Sequence, residues 1–236
     1  MGTWNRRGCV PFLQSSNEQY LSPPISENSA LRIVRDSIPY IVVPVALALL
    51  SLAFAPWYLS LFFLFIALFM AFFFRDPDRD VPRNEDVVVA PADGRVTRIR
   101  PMLPEEKNSP TLVSIFLSPL DVHINRSPIA GKITSVSYVP GKFLMATKEE
   151  ASLVNEQNAL TIEGEKITVV CKQIAGILAR RVVCWKKKGD NLGLGERFGM
   201  IKFSSRTDLV LPANVEIVVA EGMRVRGGTT VIGRIL

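Results

Sequence analysis

The chain has 236 residues and a mass of 26.2 kDa, enough for one medium domain with an appendage. Its 28 Lys and Arg outweigh 22 Asp and Glu, for a net charge of +6 and a pI near 9.4, which favours an anionic partner: nucleic acid, a phospholipid headgroup or an acidic substrate. Three widely spaced cysteines, Cys9, Cys171 and Cys184, form no CxxC and indicate neither a zinc site nor a disulfide framework, and the single histidine, His123, excludes a multi-histidine metal centre.

Residues 1–37 are polar and punctuated by proline and serine, as in "LQSSNEQYLSPPISENSALR", a composition that predicts a flexible tail. Met1-Gly2 fails as a myristoylation signal because position 6 is Arg6 rather than Ser or Thr. Residues 38–74 then carry no charge at all. A spanning helix needs about 20 residues, so this run is too long for one helix and long enough for two short ones. Pro56, Trp57 and Tyr58 interrupt it, proline as a break and the aromatics as interfacial residues. Helices over 38–55 and 59–74 are expected, joined as a tight hairpin. Arg32 and Arg35 precede the run and Arg75, Arg79 and Arg83 follow it, which places both ends on the cytoplasmic side of the cell membrane. The alternative is a buried helical pair of a soluble protein.

From about Val87 onward the texture changes to short β-type runs between turn residues. Strands are expected over 87–89, 95–99, 112–117, 131–139, 159–162, 167–174, 179–185, 215–220 and 231–236, with one weak helical stretch over 148–158. Many strands and few helices predict a mainly β barrel or sandwich. The ending "VEIVVAEGMRVRGGTTVIGRI" resembles the barrel-sandwich hybrids of biotinyl and lipoyl carriers, but no lysine stands at the hairpin tip to carry such a group. The expected plan is therefore a polar tail (1–37), a membrane hairpin (38–74) and a barrel-sandwich-hybrid-like catalytic domain (75–236).

Three places put polar residues inside apolar runs. Asp93 in "APADGRV" reads as a hairpin turn, for which Asp-Gly is the commonest signal, or as a functional carboxylate. His123 stands among Asp121, Asn125 and Arg126 in "FLSPLDVHINRSPIAG". Ser204 and Ser205 lie back to back in "FGMIKFSSRTDLVLP", as an ordinary serine turn or as a reactive pair. Together they supply an Asp, a His and a Ser, from which nucleophile, base and orienter can be assembled. No GxSxG elbow is present, so an α/β-hydrolase does not fit.

The ordered set "RDPDRDVP", "PADGRV", "FLSPLDVHINRSPIAG", "NEQN", "IAGILARR" and "GERFGMIKFSSRTDLVLP" resembles phosphatidylserine decarboxylase proenzymes, in the short form with an N-terminal membrane hairpin, over residues 75–236. The resemblance implies self-cleavage between Ser204 and Ser205 and a pyruvoyl group made from Ser205, with no metal and no pyridoxal phosphate. It implies catalytic roles for Ser205 and His123, with Asp93 orienting the imidazole. Arg126, Arg180, Arg181, Arg197 and Lys202 lie within the matching motifs as donors for a phosphodiester. The substrate implied is phosphatidylserine or an ether-lipid analogue. The partners implied are the bilayer, the chain's own two fragments 1–204 and 205–236, and a homo-oligomer. Two positions depart from the family pattern: the residue before the reactive serine is Ser204 instead of glycine, and Arg126 stands where longer members carry a second histidine.

Two other readings stay open. A membrane-anchored β module could share the fold without activity, with Ser204 marking its loss. A serine hydrolase could use Ser205, His123 and Asp93 without cutting itself. Nucleic-acid binding is disfavoured by the uninterrupted apolar hairpin and the sparse aromatic pattern.

Overall fold

In the computed structural model, residues 32–145, 150–177, 181–202 and 205–236 are described. The apolar run folds into α1 (Ile38–Phe54) and α2 (Trp57–Phe73). Small residues line the seam between them: Ala48, Ser51, Ser60 and Ala67 are buried. The Ser51 and Ser60 hydroxyls lie 2.8 Å apart, each 2.9 Å from the Ala48 carbonyl, so close backbone approach leaves no polar group stranded in an apolar setting. The large residues point outward, with Phe54 83% and Phe65 68% exposed. The stretch Arg35–Phe54, of mean hydropathy 2.2, is long and apolar enough to cross a membrane and is only 11% buried, so the hairpin is not the core of the domain. The 17 residues of α2 fall short of the usual span. An apolar surface this large points to membrane association.

The polar tail ends sooner than expected. Residues 1–31 lie outside the described residues, but β1 (Arg32–Ile33) pairs antiparallel with β2 (Arg75–Asp76), and a 3-10 turn covers Arg35–Ser37. The chain is thus zipped together where it enters and leaves the hairpin.

Beyond β2 come β3 (Val87–Val89), β4 (Gly94–Pro101), β5 (Thr111–Leu117), β6 (Ile124–Arg126) and β7 (Gly131–Val139). A short α3 (Ala151–Val154) precedes β8 (Gln157–Glu163), β9 (Thr168–Ala175), β10 (Val182–Cys184), β11 (Asn191–Leu192) and β12 (Arg197–Ile201). The chain closes with β13 (Ser205–Leu211), β14 (Val215–Ile217), β15 (Arg224–Val225) and β16 (Val231–Ile235). The expected mainly β class is the observed one, and the large sheet curls into a half-barrel. Its order is β11-β7-β8-β9-β13-β5-β4-β15, with separate three-stranded sheets β14-β16-β3 and β10-β12-β6. Inside the curl, alternate residues of neighbouring strands meet: Val113, Ile115, Leu160, Ile162, Val169, Cys171, Leu209 and Leu211 are all fully buried.

Pairing overrides several local expectations. Of the helix expected over 148–158, residues 148 and 149 lie outside the described residues and the rest holds only the single turn of α3, because residues from Gln157 onward are taken into β8, which is laddered on both sides by β7 and β9. The C-terminal run is not a simple meander, since β14 pairs with β16 while β15 joins β4 in the large sheet. Asp93-Gly94 is not a hairpin turn either: it carries the chain from β3 in one sheet to β4 in another. Glycine is required there because φ is +150° and an added Cβ would lie 2.2 Å from the Phe116 carbonyl oxygen. Gly94→Ala should therefore force β4 away from β5 and cost on the order of 3 kcal/mol, measured as a lower denaturation midpoint of detergent-solubilised protein. An unchanged midpoint would contradict this geometry.

Candidate active site

The two halves of 198–212 belong to different sheets: β12 pairs with β6 and β10, whereas β13 runs between β5 and β9. Ser205 opens β13, opposite Leu117 on one side and Ala175 on the other. It is fully buried, and its hydroxyl has no hydrogen-bond partner among the described residues. Ser204, with Phe203, lies outside the described residues.

Strand alternation puts Ser205 and Thr207 on the inward face with Leu209 and Leu211. A buried chain of amides backs this end of the strand. Asn125 Nδ2 donates to Thr207 Oγ1 at 3.0 Å, Gln173 Nε2 to Asn125 Oδ1 at 2.8 Å, and Asn158 Nδ2 to Gln173 Oε1 at 3.1 Å. On the opposite face, Arg206 and Asp208 form a buried two-point ion pair at 2.9 and 3.0 Å. Sequence reasoning missed Thr207, Gln173, Arg206 and Asp208. The available signal was a polar "SRTD" leading directly into an apolar strand end.

His123 is 2% exposed. Its Nδ1 lies 2.9 Å from the Asp121 carbonyl; a carbonyl only accepts, so Nδ1 carries the proton and Nε2 presents a bare lone pair. Nε2 is buried without a partner. Burial lowers the imidazole pKa from 6.5 to about 4, against the opposing pull of the Asp121 carbonyl and carboxylate and with a smaller push from Arg75. The His123 carbonyl accepts from the Ile201 amide at 3.2 Å, and Ile201 packs with Ala175 and Val182. Ala175 is the ladder partner of Ser205, so histidine and serine flank one small apolar cluster, although the two are not hydrogen-bonded to each other.

Asp93 does not orient that imidazole. One of its oxygens pairs with Arg79 at 2.7 Å and the other accepts from the Gly227 amide at 2.8 Å; the Asp121 carbonyl holds the ring instead. Among the expected phosphate ligands, Arg126 and Arg197 both converge on Asp76, at 3.1 and 2.7 Å. Arg126 also donates to the Pro77 and Gly195 carbonyls, and Arg197 pairs with Asp78. These two guanidiniums brace the exit of the hairpin. Arg181 is exposed beside β10, and Lys202 sits 4.8 Å from the centre of the Tyr40 ring in α1, a cation–π contact. Arg180 lies outside the described residues.

A sequence profile of phosphatidylserine decarboxylases matches residues 66–233. The chain belongs to the phosphatidylserine decarboxylase family. The protein named phosphatidylserine decarboxylase proenzyme of Symbiobacterium thermophilum is 48% identical over 210 residues, covering 86% of this chain and 95% of that one. The like-named proenzymes of Solibacter usitatus and Geobacter sulfurreducens are 44% and 43% identical, over 86% and 88% of this chain and 97% and 98% of theirs. In this decarboxylase the family match takes in the last turns of α2 together with Asp93, His123 and Ser205.

The histidine makes a stability prediction. Its folded pKa lies below its unfolded value, so the unfolded chain binds the extra proton first, and stability is complete above pH 6.5 and lost as pH falls towards 4. The loss amounts to roughly 3 kcal/mol. His123→Gln should flatten that part of the stability–pH curve in chemical denaturation, and an identical slope in both proteins would rule the buried neutral imidazole out.

Proposed function

We propose that the chain decarboxylates phosphatidylserine, or an ether-linked analogue, after cutting itself between Ser204 and Ser205. The observation that carries this reading is the buried, unpartnered Ser205 hydroxyl at the head of the central strand, directly after Ser204. A buried hydroxyl without a partner costs about 1–3 kcal/mol, a cost a purely structural serine has no reason to bear.

The chemistry closes on these residues. Ser205 Oγ attacks the Ser204 carbonyl carbon, the peptide C–N bond breaks, and an ester replaces the amide. Loss of the Cα proton of residue 205 then expels the Ser204 carboxylate, leaving a dehydroalanine at the new N-terminus. Its imine tautomer takes up water and releases ammonia, which makes residue 205 a pyruvoyl group. Ser205 thus fits the prosthetic group the family implies. That group supplies an electron sink for the carbanion left when carbon dioxide departs. His123 is the proton acceptor we assign to the attack: its Nε2 lone pair stays unprotonated at neutral pH. We assign to the same nitrogen, once protonated, the return of a proton to the substrate carbon.

With Arg126 and Arg197 tied to Asp76, the phosphodiester falls to Arg181, Lys202 and Arg180. Lys202 lies beside α1, on the side from which a lipid headgroup arrives. The hairpin holds the domain at the cell membrane, on its cytoplasmic face. Fragments 1–204 and 205–236 stay together after cleavage, because β13 is laddered to β5 and β9 of the larger piece.

Intact-mass measurement and a ketone-reactive hydrazine test the reading. Native protein should yield the two fragments, with the smaller one labelled. Ser205→Ala should stay at full length without activity, and Ser204→Gly should cleave at least as fast as native, since removing Cβ frees the backbone at the scissile bond. A native chain that remains whole, unlabelled and unrescued by Ser204→Gly would leave the inactive β module as the reading.

A further inference from the structure

Phe73 is the last residue of α2 and is fully buried. Its ring centre lies 4.2 Å from that of His123, with the planes tilted by 36°. Phe74 packs edge-on against it at 4.9 Å and Phe69 lies at 6.4 Å. Phe73 and Phe74 join Val122, Ile124 and Met200 in an apolar cluster distinct from the main core. Val122 and Ile124 flank His123 in the chain, so the imidazole occupies a socket built half from the membrane hairpin and half from its own loop.

We propose that Phe73 is a positioning residue for His123, closing the imidazole socket from the membrane side, fixing the ring plane and keeping water from Nε2. The proposal rests on His123 being the proton acceptor of the proposed reaction. One hydrogen bond, from Nδ1 to the Asp121 carbonyl, pins one edge of the ring and leaves its tilt free; a neighbouring ring face at this distance removes that freedom. The charged groups acting on the imidazole are Asp121, which favours the protonated form, and Arg75, which opposes it. Removal from water outweighs both, and Phe73 is the ring α2 contributes to it. The hairpin is then a wall of the active site as well as an anchor, and decarboxylation depends on how its last turn seats.

The single histidine makes the test direct. Full-length protein without a histidine tag, labelled at histidine Cε1 and held in detergent micelles, gives one imidazole resonance to titrate. The native midpoint should lie near pH 4. Phe73→Leu should raise it by about one unit, and Phe73→Tyr, which keeps the ring, should restore it. The acid limb of the decarboxylation rate should move with the midpoint, with kcat falling and KM held. Should Phe73→Leu fail to fold by circular dichroism, Phe73→Met enters the same comparison. A native-like midpoint in a folded ringless variant of a chain that still cleaves overturns the role of Phe73 alone. A shifted midpoint in a chain that never cleaves overturns the proposed reaction and leaves the Phe73–His123 contact standing.

Discussion

The Asp76 carboxylate holds the molecule together at its most demanding junction. It sits in β2, just past the apolar hairpin, and receives Arg126 from β6 and Arg197 from β12. The Asp76 and Arg126 side chains are 11% and 6% exposed, so removing the carboxylate would strand a buried guanidinium, a situation that typically costs about 3–5 kcal/mol. Because β2 also pairs with β1, the same node closes the base of the hairpin. The end of α2 is thereby fixed against the domain, and with it the aromatic ring that covers His123.

The second constraint is the position of β13. Ser205 sits on a strand laddered on both sides, which fixes its backbone and keeps it from water. Along its inward face the strand passes from apolar core at Leu209 and Leu211, through the satisfied amide chain at Thr207, to the Ser205 hydroxyl, which has no partner among the described residues. The amides separate core from site without an unpaired polar group of their own, the condition under which a buried network rigidifies its surroundings.

Charge in this protein is divided by task. Arg79 is paired with Asp93, and Arg126 and Arg197 with Asp76, within the fold, while Arg197 also reaches the half-exposed Asp78. Arg206 is closed on Asp208 behind the reactive strand. Arg181 is exposed and Lys202 stands against an aromatic ring of α1.

The sequence by itself determined the apolar hairpin, because a long charge-free run interrupted near its middle at Pro56 has few ways to fold. It determined the mainly β class, because short β-branched runs separated by glycine and proline carry their period locally. It also singled out His123 and Ser205, by the rarity of the one and the odd placement of the other. What only tertiary structure decided was partnership. Asp93 faces Arg79 and the Gly227 amide instead of His123, and two presumed phosphate ligands face Asp76. Residues 157 and 158 joined a strand instead of a helix. Each of these turns on residues far apart in the chain, whose meeting depends on strand register and on where the hairpin docks, and neither is written in local spacing.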